Sequence, residues 1–181
     1  MDVFRNGRFE ADDWIALDGP DDAPVPPGGR VLVPLLRWRA EGEGLVAAAS
    51  EVGLILAGDD PVEVLGDTVH RFAVIAIAFP KFTDGRGYSI ARLLRERLGY
   101  AGELRATGDV LADQIPLLWR CGFDALVVEH EPTRAVLAEG RLARPALHMQ
   151  PVGAAEAAPT ALRPWLRAAT VAPAAPNYAG C

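Results

Sequence analysis

The stretch FAVIAIAFPKFTDGRGYSIARLLRERL, residues 72–98, contains the passage from an apolar strand to an amphipathic helix that decides the fold. Residues 72–79 are apolar throughout, as in a buried strand, and the isoleucine and leucines of residues 89–98 recur at helical spacing on one face. The loop between them, FPKFTDGRGYS at residues 79–89, holds more polar groups than a turn alone requires. Polar, glycine-containing loops between a strand and a helix are common ligand sites in α/β proteins.

The same order of strand and helix recurs along the chain. It predicts a single α/β domain whose mostly parallel sheet has about five strands and is covered on its faces by helices. We expect Asp60 to be the N-cap of the second helix. Pro116 requires the fourth helix either to break near Asp113 or to begin its first full turn there. The predicted strands are 31–34, at the start of the apolar run 31–36, then 52–57, 72–79, 103–107 and 124–129. The predicted helices are 38–50, 61–65, 89–98, 109–122 and 133–142.

Different structure is predicted for the two ends of the chain. Residues 3–10 predict a β-hairpin, since Asn6-Gly7 supplies the two positive-φ positions of a type I′ turn. Residues 12–17 either form a further strand or pack on the core. Residues 18–29 are rich in proline, glycine and aspartate and predict a linker. The resulting division is 1–29 for hairpin and linker, 30–150 for the α/β domain and 151–181 for a flexible tail rich in alanine and proline.

The composition argues against several classes of function. The net charge of −6 argues against nucleic-acid binding, and no apolar run approaches the roughly 20 residues of a membrane helix. The N-terminal sequence lacks the layout of a signal peptide, so we expect a cytoplasmic location. The two cysteines and three scattered histidines lack the spacing of metal ligands, and no dinucleotide or phosphate-loop motif occurs. The sequence therefore identifies no metal site and no cofactor.

An anion site is predicted at one edge of the sheet. Parallel strands end on the same side, so the loops after Phe79, Thr107 and Glu129 should share an edge. The first loop places cations and glycines before a helix start, where unpaired amides favour an anion and glycine allows close backbone approach. The alternative is that Asp84 and Arg86 pair with each other and only shape the turn. The predicted anion-binding residues are Lys81, Arg86, Gly85, Gly87, Ser89 and Arg105.

The same edge carries groups that can transfer protons. The candidate catalytic residues are Asp84, Tyr88 and Asp109. Asp109 precedes a helical pattern, however, and fits a helix N-cap better than a catalytic role. Cys121 lies at a predicted helix C-terminus, where the helix dipole disfavours a thiolate, so we expect a buried, unreactive thiol. The role of Cys181, in the predicted tail, stays open.

Several segments of the central region together resemble a known bacterial family of unknown function; they are residues 79–89, 91–97, 102–111, 113–114 and 120–125. Members of that family are described as oxidoreductases involved in sulfite reduction. Their genes usually lie beside those for sulfite reductase and phosphoadenylyl-sulfate reductase. The resemblance is close over residues 72–129, looser before them and absent in detail after Glu131. Its most specific element is the string FPKFTDGRGYS, and Pro116 departs from the apolar and aromatic run that the family has there.

The resemblance implies a role in assimilatory sulfur metabolism but supplies no established catalytic residues. Three functions are open at this point. The protein is an accessory protein that binds sulfite reductase, phosphoadenylyl-sulfate reductase or an electron carrier; or it is an oxidoreductase, other enzyme or sensor that acts directly on a small sulfur oxyanion; or it is an interaction domain whose polar loop only stabilises the fold. The lack of a redox-cofactor motif favours the first.

Overall fold

The computed structural model describes residues 2–17 and 24–142, together with the backbone of residues 147–148 and 167–168. Residues 18–23 of the predicted linker, and the predicted tail apart from 167–168, lie outside the described residues, as does Cys181. The N-terminal hairpin is confirmed, with Asn6 at φ 51° and Gly7 at φ 81° between its two strands.

The described residues form ten strands and four α-helices. The strands are β1 Asp2–Arg5, β2 Arg8–Ala11, β3 Trp14–Ala16, β4 Arg30–Pro34, β5 Glu51–Leu56, β6 Val74–Phe79, β7 Glu103–Gly108, β8 Ala125–Leu126, β9 Leu147–His148 and β10 Arg167–Ala168. The helices are α1 Leu35–Ala48, α2 Arg86–Arg92, α3 Ile115–Arg120 and α4 Glu131–Ala138, with a 3-10 segment at Val62–Arg71 and a π-helical turn at Leu93–Arg97. β9 and β10 form a separate two-stranded antiparallel sheet.

The main sheet is mixed and has eight strands in the order β2-β1-β8-β7-β6-β5-β4-β3. Strands β3 to β8 are parallel neighbours in chain order, whereas β1 is antiparallel to both β2 and β8. The prediction of a mostly parallel sheet of about five strands is therefore wrong. The N-terminal hairpin joins the sheet by pairing Phe4 with Leu126, a long-range contact that no local sequence pattern reveals.

The sheet curls because a short segment connects its two ends. β2 and β3 lie at opposite ends of the strand order, yet only Asp12 and Asp13 separate them in the chain. Such a connection spans at most about 11 Å, whereas the outer strands of a flat eight-stranded sheet lie roughly 34 Å apart. In addition, Nη1 of Arg105 in β7 donates to Oδ2 of Asp12 at 2.6 Å. Both observations require the sheet to turn back on itself.

The helical segments pack on the convex face of the curled sheet. Parallel strands in chain order place every right-handed crossover on one side, so the expected cover of helices on both faces is found on one face in the described part of the chain. There Leu45, Val69 and Leu94 of the helical segments share a core with Leu54 and Ile77 of the strands. That core is the larger of the two apolar layers.

The concave face is formed by the alternate strand positions, among them Trp14, Leu32 and Ala76. Gly53 allows these side chains to approach the sheet closely. A Cβ at this position would lie 2.6 Å from both a Leu32 methyl carbon and the Val74 carbonyl oxygen, and 3.1 Å from the Trp14 ring. The small residues Gly53 and Ala76 therefore leave space on the concave face of the sheet.

The helix after the central loop differs from its prediction in start and pitch. It begins at Arg86, before the predicted residue 89, and changes from α to π geometry at Leu93. The Leu98 N–H accordingly donates to the Leu93 carbonyl at 3.1 Å. Gly99, directly after the predicted helix of residues 89–98, ends the segment in the left-handed conformation, at φ 63°.

The sequence also makes predictions about the start of α3, near Pro116, and about the start of the helical segment that follows Asp60. α3 begins at Ile115 with Pro116 in its first turn, which confirms a late start rather than a long interrupted helix. The N-cap prediction for Asp60 is wrong. Its carboxylate accepts a hydrogen bond from the Ala57 N–H at 2.7 Å and stabilises the turn before the 3-10 segment, which begins at Val62.

Candidate functional site

The predicted loop lies at the carboxyl edge of the parallel strands, between the loops that follow β5 and β7. The Arg86 side chain crosses to the first of these loops, where a Cβ on Gly58 would lie 2.9 Å from its Nε atom. Asp109 of the other loop accepts a hydrogen bond from the Phe82 N–H at 2.9 Å. We call these three segments, residues 57–60, 80–86 and 108–114, the rim loops. Lys81, which is exposed, is the only lysine of the chain and lies in the central rim loop.

Phe82 is an exposed aromatic residue on a fixed backbone. Its exposed fraction is 52%. The Phe82 N–H is bound by Asp109, and the Phe82 carbonyl accepts a hydrogen bond from Nε2 of Gln114 at 2.7 Å. Gln114 is held in turn, because its Oε1 accepts from the Leu111 N–H at 2.9 Å. The neighbouring rim loop thus fixes the backbone on both sides of a ring that faces solvent.

Asp84 and Arg86 form the ion pair that was the alternative to an anion site. Nη2 of Arg86 donates to Oδ2 of Asp84 at 2.7 Å, and Nε donates to Oδ1 at 3.0 Å. The Arg86 backbone N–H also donates to Oδ1, at 3.2 Å. The Asp84 carboxylate therefore occupies the helix start at which an anion was predicted. Anion binding there stays a prediction, and it would require displacement of Asp84.

This pairing lowers the pKa of Asp84 to about 2, chiefly through the side-chain hydrogen bonds from Arg86 and then through the bond from its backbone N–H. We expect Arg86→Ala to raise that pKa towards the ordinary value of 3.8. Because the folded state binds this proton less readily than the unfolded state, the pair stabilises the fold above pH 3.8 and loses this contribution as the pH falls towards 2. Carboxyl NMR titration measures the shift.

Arg92→Ala is the control for this titration, because Arg92 pairs with Glu96 on the surface of the same helical segment. The pKa of Asp84 should be the same in this variant as in the unmodified protein. An Asp84 pKa near 2 in Arg86→Ala would show that the ion pair is not its cause.

The other predicted residues of the central loop differ in exposure. Gly87 is buried, and a Cβ there would lie 2.6 Å from the Phe79 ring and 3.0 Å from a methyl carbon of Ile77. Gly85 immediately precedes α2 and is exposed, as is Ser89 within α2. Gly87 therefore allows α2 to pack closely on β6, whereas Gly85 and Ser89 face solvent.

The remaining catalytic candidates have structural partners. The Tyr88 ring packs on Phe79 with centroids 5.3 Å apart. Burial raises the pKa of the Tyr88 phenol, which makes it less suited to proton transfer near neutral pH. The N-cap prediction for Asp109 is wrong, since α3 begins only at Ile115 and the Asp109 carboxylate binds the central rim loop instead.

Arg105 lies apart from the rim loops, fully buried in β7 on the concave face. It donates through Nη1 to Asp12 and through Nε to Glu103. Arg5 also donates to Glu103, at 3.0 Å. The structure therefore does not bring Arg105 to Lys81; Arg105 is instead the cation of a buried ion cluster, by which we mean Asp12, Glu103 and Arg105.

Sequence reasoning missed Asp12 and Glu103 as the partners of Arg105. A signal for this cluster was present, because Arg105 stands between Leu104 and Ala106 in an apolar strand. A charge in a buried strand requires an opposite charge close by. The pattern does not say which acidic residue provides it, and Asp12 lies more than ninety positions away in the chain.

Other candidate chemistry is limited in the described residues. Cys121 is buried, and burial raises the pKa of its thiol, in agreement with the expected unreactive role. Within residues 2–17 and 24–142, no group of three or more histidine, cysteine, aspartate or glutamate side chains is arranged to hold a metal ion. In the same residues no helix is long and apolar enough to cross a membrane.

Comparison with known proteins identifies a family. A model of the family described as "Bacterial protein of unknown function (DUF934)" matches residues 53–158, which is more than half of the chain. The chain belongs to this bacterial family. The part matched by the family includes the rim loops and Arg105 but neither Asp12 nor the N-terminal hairpin. No curated protein and no solved structure matches the chain significantly.

Proposed function

We propose that the protein is an accessory protein of assimilatory sulfite reduction, and that it docks onto a reductase of that pathway or its electron carrier through the rim loops. The observation that carries the proposal is Phe82, an exposed aromatic ring whose backbone is held by Asp109 and Gln114. Aromatic residues dominate the binding energy of protein interfaces. A backbone fixed before binding also reduces the entropy lost on association.

Exposed apolar residues near the same edge support docking. Six large apolar side chains are exposed in the described residues. Four of them lie in the loop or first helical turn that follows one of the strands β4 to β7, namely Leu36, Val64, Phe82 and Leu117. Parallel strands bring these segments to one edge, and a concentration of exposed apolar surface there marks a binding surface for another protein.

The identity of the partner rests on the resemblance of residues 72–129 to proteins of sulfite reduction. That stretch includes Phe82 and the two residues that hold its backbone, Asp109 and Gln114, so the proposed contact belongs to the best-matching part of the chain. Lys81 is exposed beside Phe82, and an acidic group of the partner could pair with its amine there.

Affinity capture tests this proposal. The full chain is used as bait in extracts of a bacterial host grown on sulfate as sole sulfur source. We expect enrichment of a sulfur-assimilation reductase or its electron carrier, reduced about tenfold or more by Phe82→Ala, since loss of an interface aromatic costs about 2 kcal/mol or more. The free energy of unfolding of Phe82→Ala should differ from that of the unmodified chain by less than about 0.5 kcal/mol, as is usual for substitutions at exposed positions.

Val46→Ala is the matched control for Phe82→Ala. Val46 is 46% exposed, but it lies near the end of α1, on the side away from the rim loops. The Val46→Ala variant should capture the same partner as the unmodified chain. Recovery of no enzyme of sulfur assimilation, or equal recovery by Phe82→Ala, would overturn the proposal.

The alternative, direct action on a small sulfur oxyanion, makes a different prediction. An anion at the central rim loop competes with the Asp84 carboxylate for Arg86. Calorimetric titration with sulfite should therefore show tighter binding to Asp84→Asn than to the unmodified chain, and none to Arg86→Ala. Sulfite binding that is unaffected by both substitutions would exclude the loop as its site.

A further inference from the structure

A cavity of about 320 Å³ lies inside the curl of the sheet and is not used by the proposed docking surface. The strand register places Arg105, Ala76 and Ile55 side by side on the concave face of three neighbouring strands. Thr107 lies two residues nearer the carboxyl edge, and all four residues line the cavity. The cavity therefore runs from the middle of the sheet towards the edge that carries the rim loops.

The inner end of the cavity is closed by the ion pair between Arg105 and Asp12. Nη1 of Arg105 donates to Oδ2 of Asp12 at 2.6 Å. The Arg105 side chain has no exposed surface, and the Asp12 side chain is only 6% exposed. A ligand in the cavity thus meets no free polar group at this end, so any polar group that it carries belongs at the other end.

The middle of the cavity has apolar walls. The residues that form it share the concave face of the sheet, and they are Trp14, Leu32, Ile55, Ala76, Ala78 and Val127. Mostly apolar cavities with few polar groups are typical of small-molecule sites, and this volume lies near the lower end of the usual range of about 300–1,000 Å³. The walls therefore suit a compact apolar body, which gains free energy by leaving water.

The outer end of the cavity is open to solvent and carries a carboxylate. Ala16, Gly108 and Glu129 line the cavity and are exposed. Val128 packs in the core of the convex face, whereas Val127 packs on the concave face. Glu129 is two positions after Val127 and so lies on the concave side of the extended chain. In the part of the chain that the structure describes, no cation pairs with this carboxylate.

The charges around the cavity favour a cation. Arg105 is already paired with Asp12 and also with Glu103, so it contributes no free positive charge. Glu129 therefore leaves the lining with a net negative charge at its open end. A sulfite or phosphate ion entering there would be repelled by this carboxylate, whereas an ammonium group would pair with it. The adjacent apolar wall strengthens that attraction by excluding water.

We infer that this cavity binds a small primary amine with a compact apolar body. The body fills the apolar middle of the cavity, and the ammonium group stays at the open end and donates to the Glu129 carboxylate. This orientation satisfies both ends, because the ligand buries no polar group against the closed inner end. The inference is independent of the docking proposal.

Calorimetric titration of the full chain with 1-naphthylmethylamine tests the inference. Its matched control is 1-naphthalenemethanol, which keeps the rings and replaces the ammonium group by a neutral hydroxyl. We expect saturable binding of the amine and binding of the alcohol that is weaker by about fivefold or more, since hydrogen bonds between charged groups are stronger than those of neutral donors. Binding of 1-naphthoate should be weaker than that of the alcohol, because its charge has the same sign as that of Glu129.

Glu129→Gln removes the charge at the open end and keeps the shape of the side chain. It should weaken binding of the amine by about fivefold or more and leave binding of the alcohol unchanged, which isolates the pairing of the two charges. The control is Glu131→Gln, because Glu131 is the next acidic residue along the chain, is 86% exposed and does not line the cavity. This control should bind the amine as the unmodified chain does.

Filling the cavity provides a further arm. Ala16→Leu and Ala78→Leu add bulk to two different strands of the wall, and each should weaken amine binding by about tenfold or more while urea unfolding shows a folded chain. Ala16 is exposed, so this variant keeps the test decisive even where Ala78→Leu fails to fold. Phe82→Ala should bind the amine normally, which separates this inference from the docking proposal.

Three results would overturn the inference. One is the absence of saturable amine binding at millimolar concentration. Another is equal affinity for the amine and the alcohol, or an amine affinity that Glu129→Gln or the filling of the cavity does not change. The third is tighter binding of 1-naphthoate than of the amine, which would assign the cavity to an anionic ligand.

Discussion

Arg105→Met is expected to lower the free energy of unfolding by about 3–5 kcal/mol, the usual cost of removing one partner from a buried ion pair. Arg105 is fully buried, and the side chain of Asp12 is only 6% exposed. Without the guanidinium, the buried carboxylate of Asp12 loses the cation that donates to it, and Glu103 keeps Arg5 as its cationic partner. Urea unfolding of the full chain measures the loss.

The control for Arg105→Met adds Asp12→Asn and Glu103→Gln to the same chain. Neutralising the carboxylates of Asp12 and Glu103 should recover a large part of the lost stability. Much of the penalty comes from these unpaired carboxylates rather than from the absence of the arginine. A loss below about 1 kcal/mol in Arg105→Met, or no recovery in the triple variant, would show that the buried ion cluster does not hold the ends of the curled sheet together.

Gly108→Ala is expected to lower the free energy of unfolding by about 2–4 kcal/mol, from left-handed strain and overpacking together. Gly108 has φ 92°, and a Cβ there would lie 2.4 Å from the Phe79 carbonyl oxygen. That oxygen accepts a hydrogen bond from the Asp109 N–H at 2.8 Å. The added methyl group therefore pushes against backbone that cannot move without disturbing the start of the central rim loop.

Gly44→Ala is the same chemical change, but we expect it to raise the free energy of unfolding rather than lower it. Gly44 is exposed within α1, and nothing lies within 4 Å of the place that a Cβ would take. Alanine in an open helical position stabilises by about 0.5–1 kcal/mol relative to glycine. Equal effects of the two substitutions on urea unfolding would contradict the account of Gly108.

Local signals in the sequence predicted local structure well. Asn6-Gly7 allows the two positive φ values of the hairpin turn, and Gly99 ends its helix in the same left-handed conformation. The apolar run before Phe79 is the central strand β6. The position of the central loop at a shared edge follows from parallel pairing, and the bond from the Phe82 N–H to Asp109 shows that edge to be continuous.

Long-range pairing could not be predicted in the same way. Nothing near Phe4 indicates that its strand pairs with Leu126, and this pairing makes the sheet mixed. The curl depends on a two-residue connection whose importance is visible only once both ends of the sheet are known. Side-chain partners were misjudged for the same reason, since Asp109 binds a loop distant in sequence instead of the helix that follows it.

The central claim is that the rim loops bind a protein partner, and the reactivity of Lys81 tests it most directly. Lys81 is the only lysine of the chain and adjoins Phe82, so acetylation by an N-hydroxysuccinimide ester, followed by mass spectrometry, reports one side chain at the proposed interface. The rate is compared with and without a saturating concentration of the sulfur-assimilation protein that affinity capture recovers, and a lysine-containing reference peptide controls for reagent activity.

We expect the partner to slow acetylation of Lys81 about tenfold in the unmodified chain, since residues around an interface hot spot exclude solvent. The slowing should persist in Val46→Ala and disappear in Phe82→Ala. If the partner binds with equal affinity to all three chains and Lys81 reacts at its unprotected rate throughout, the rim loops are not the docking surface.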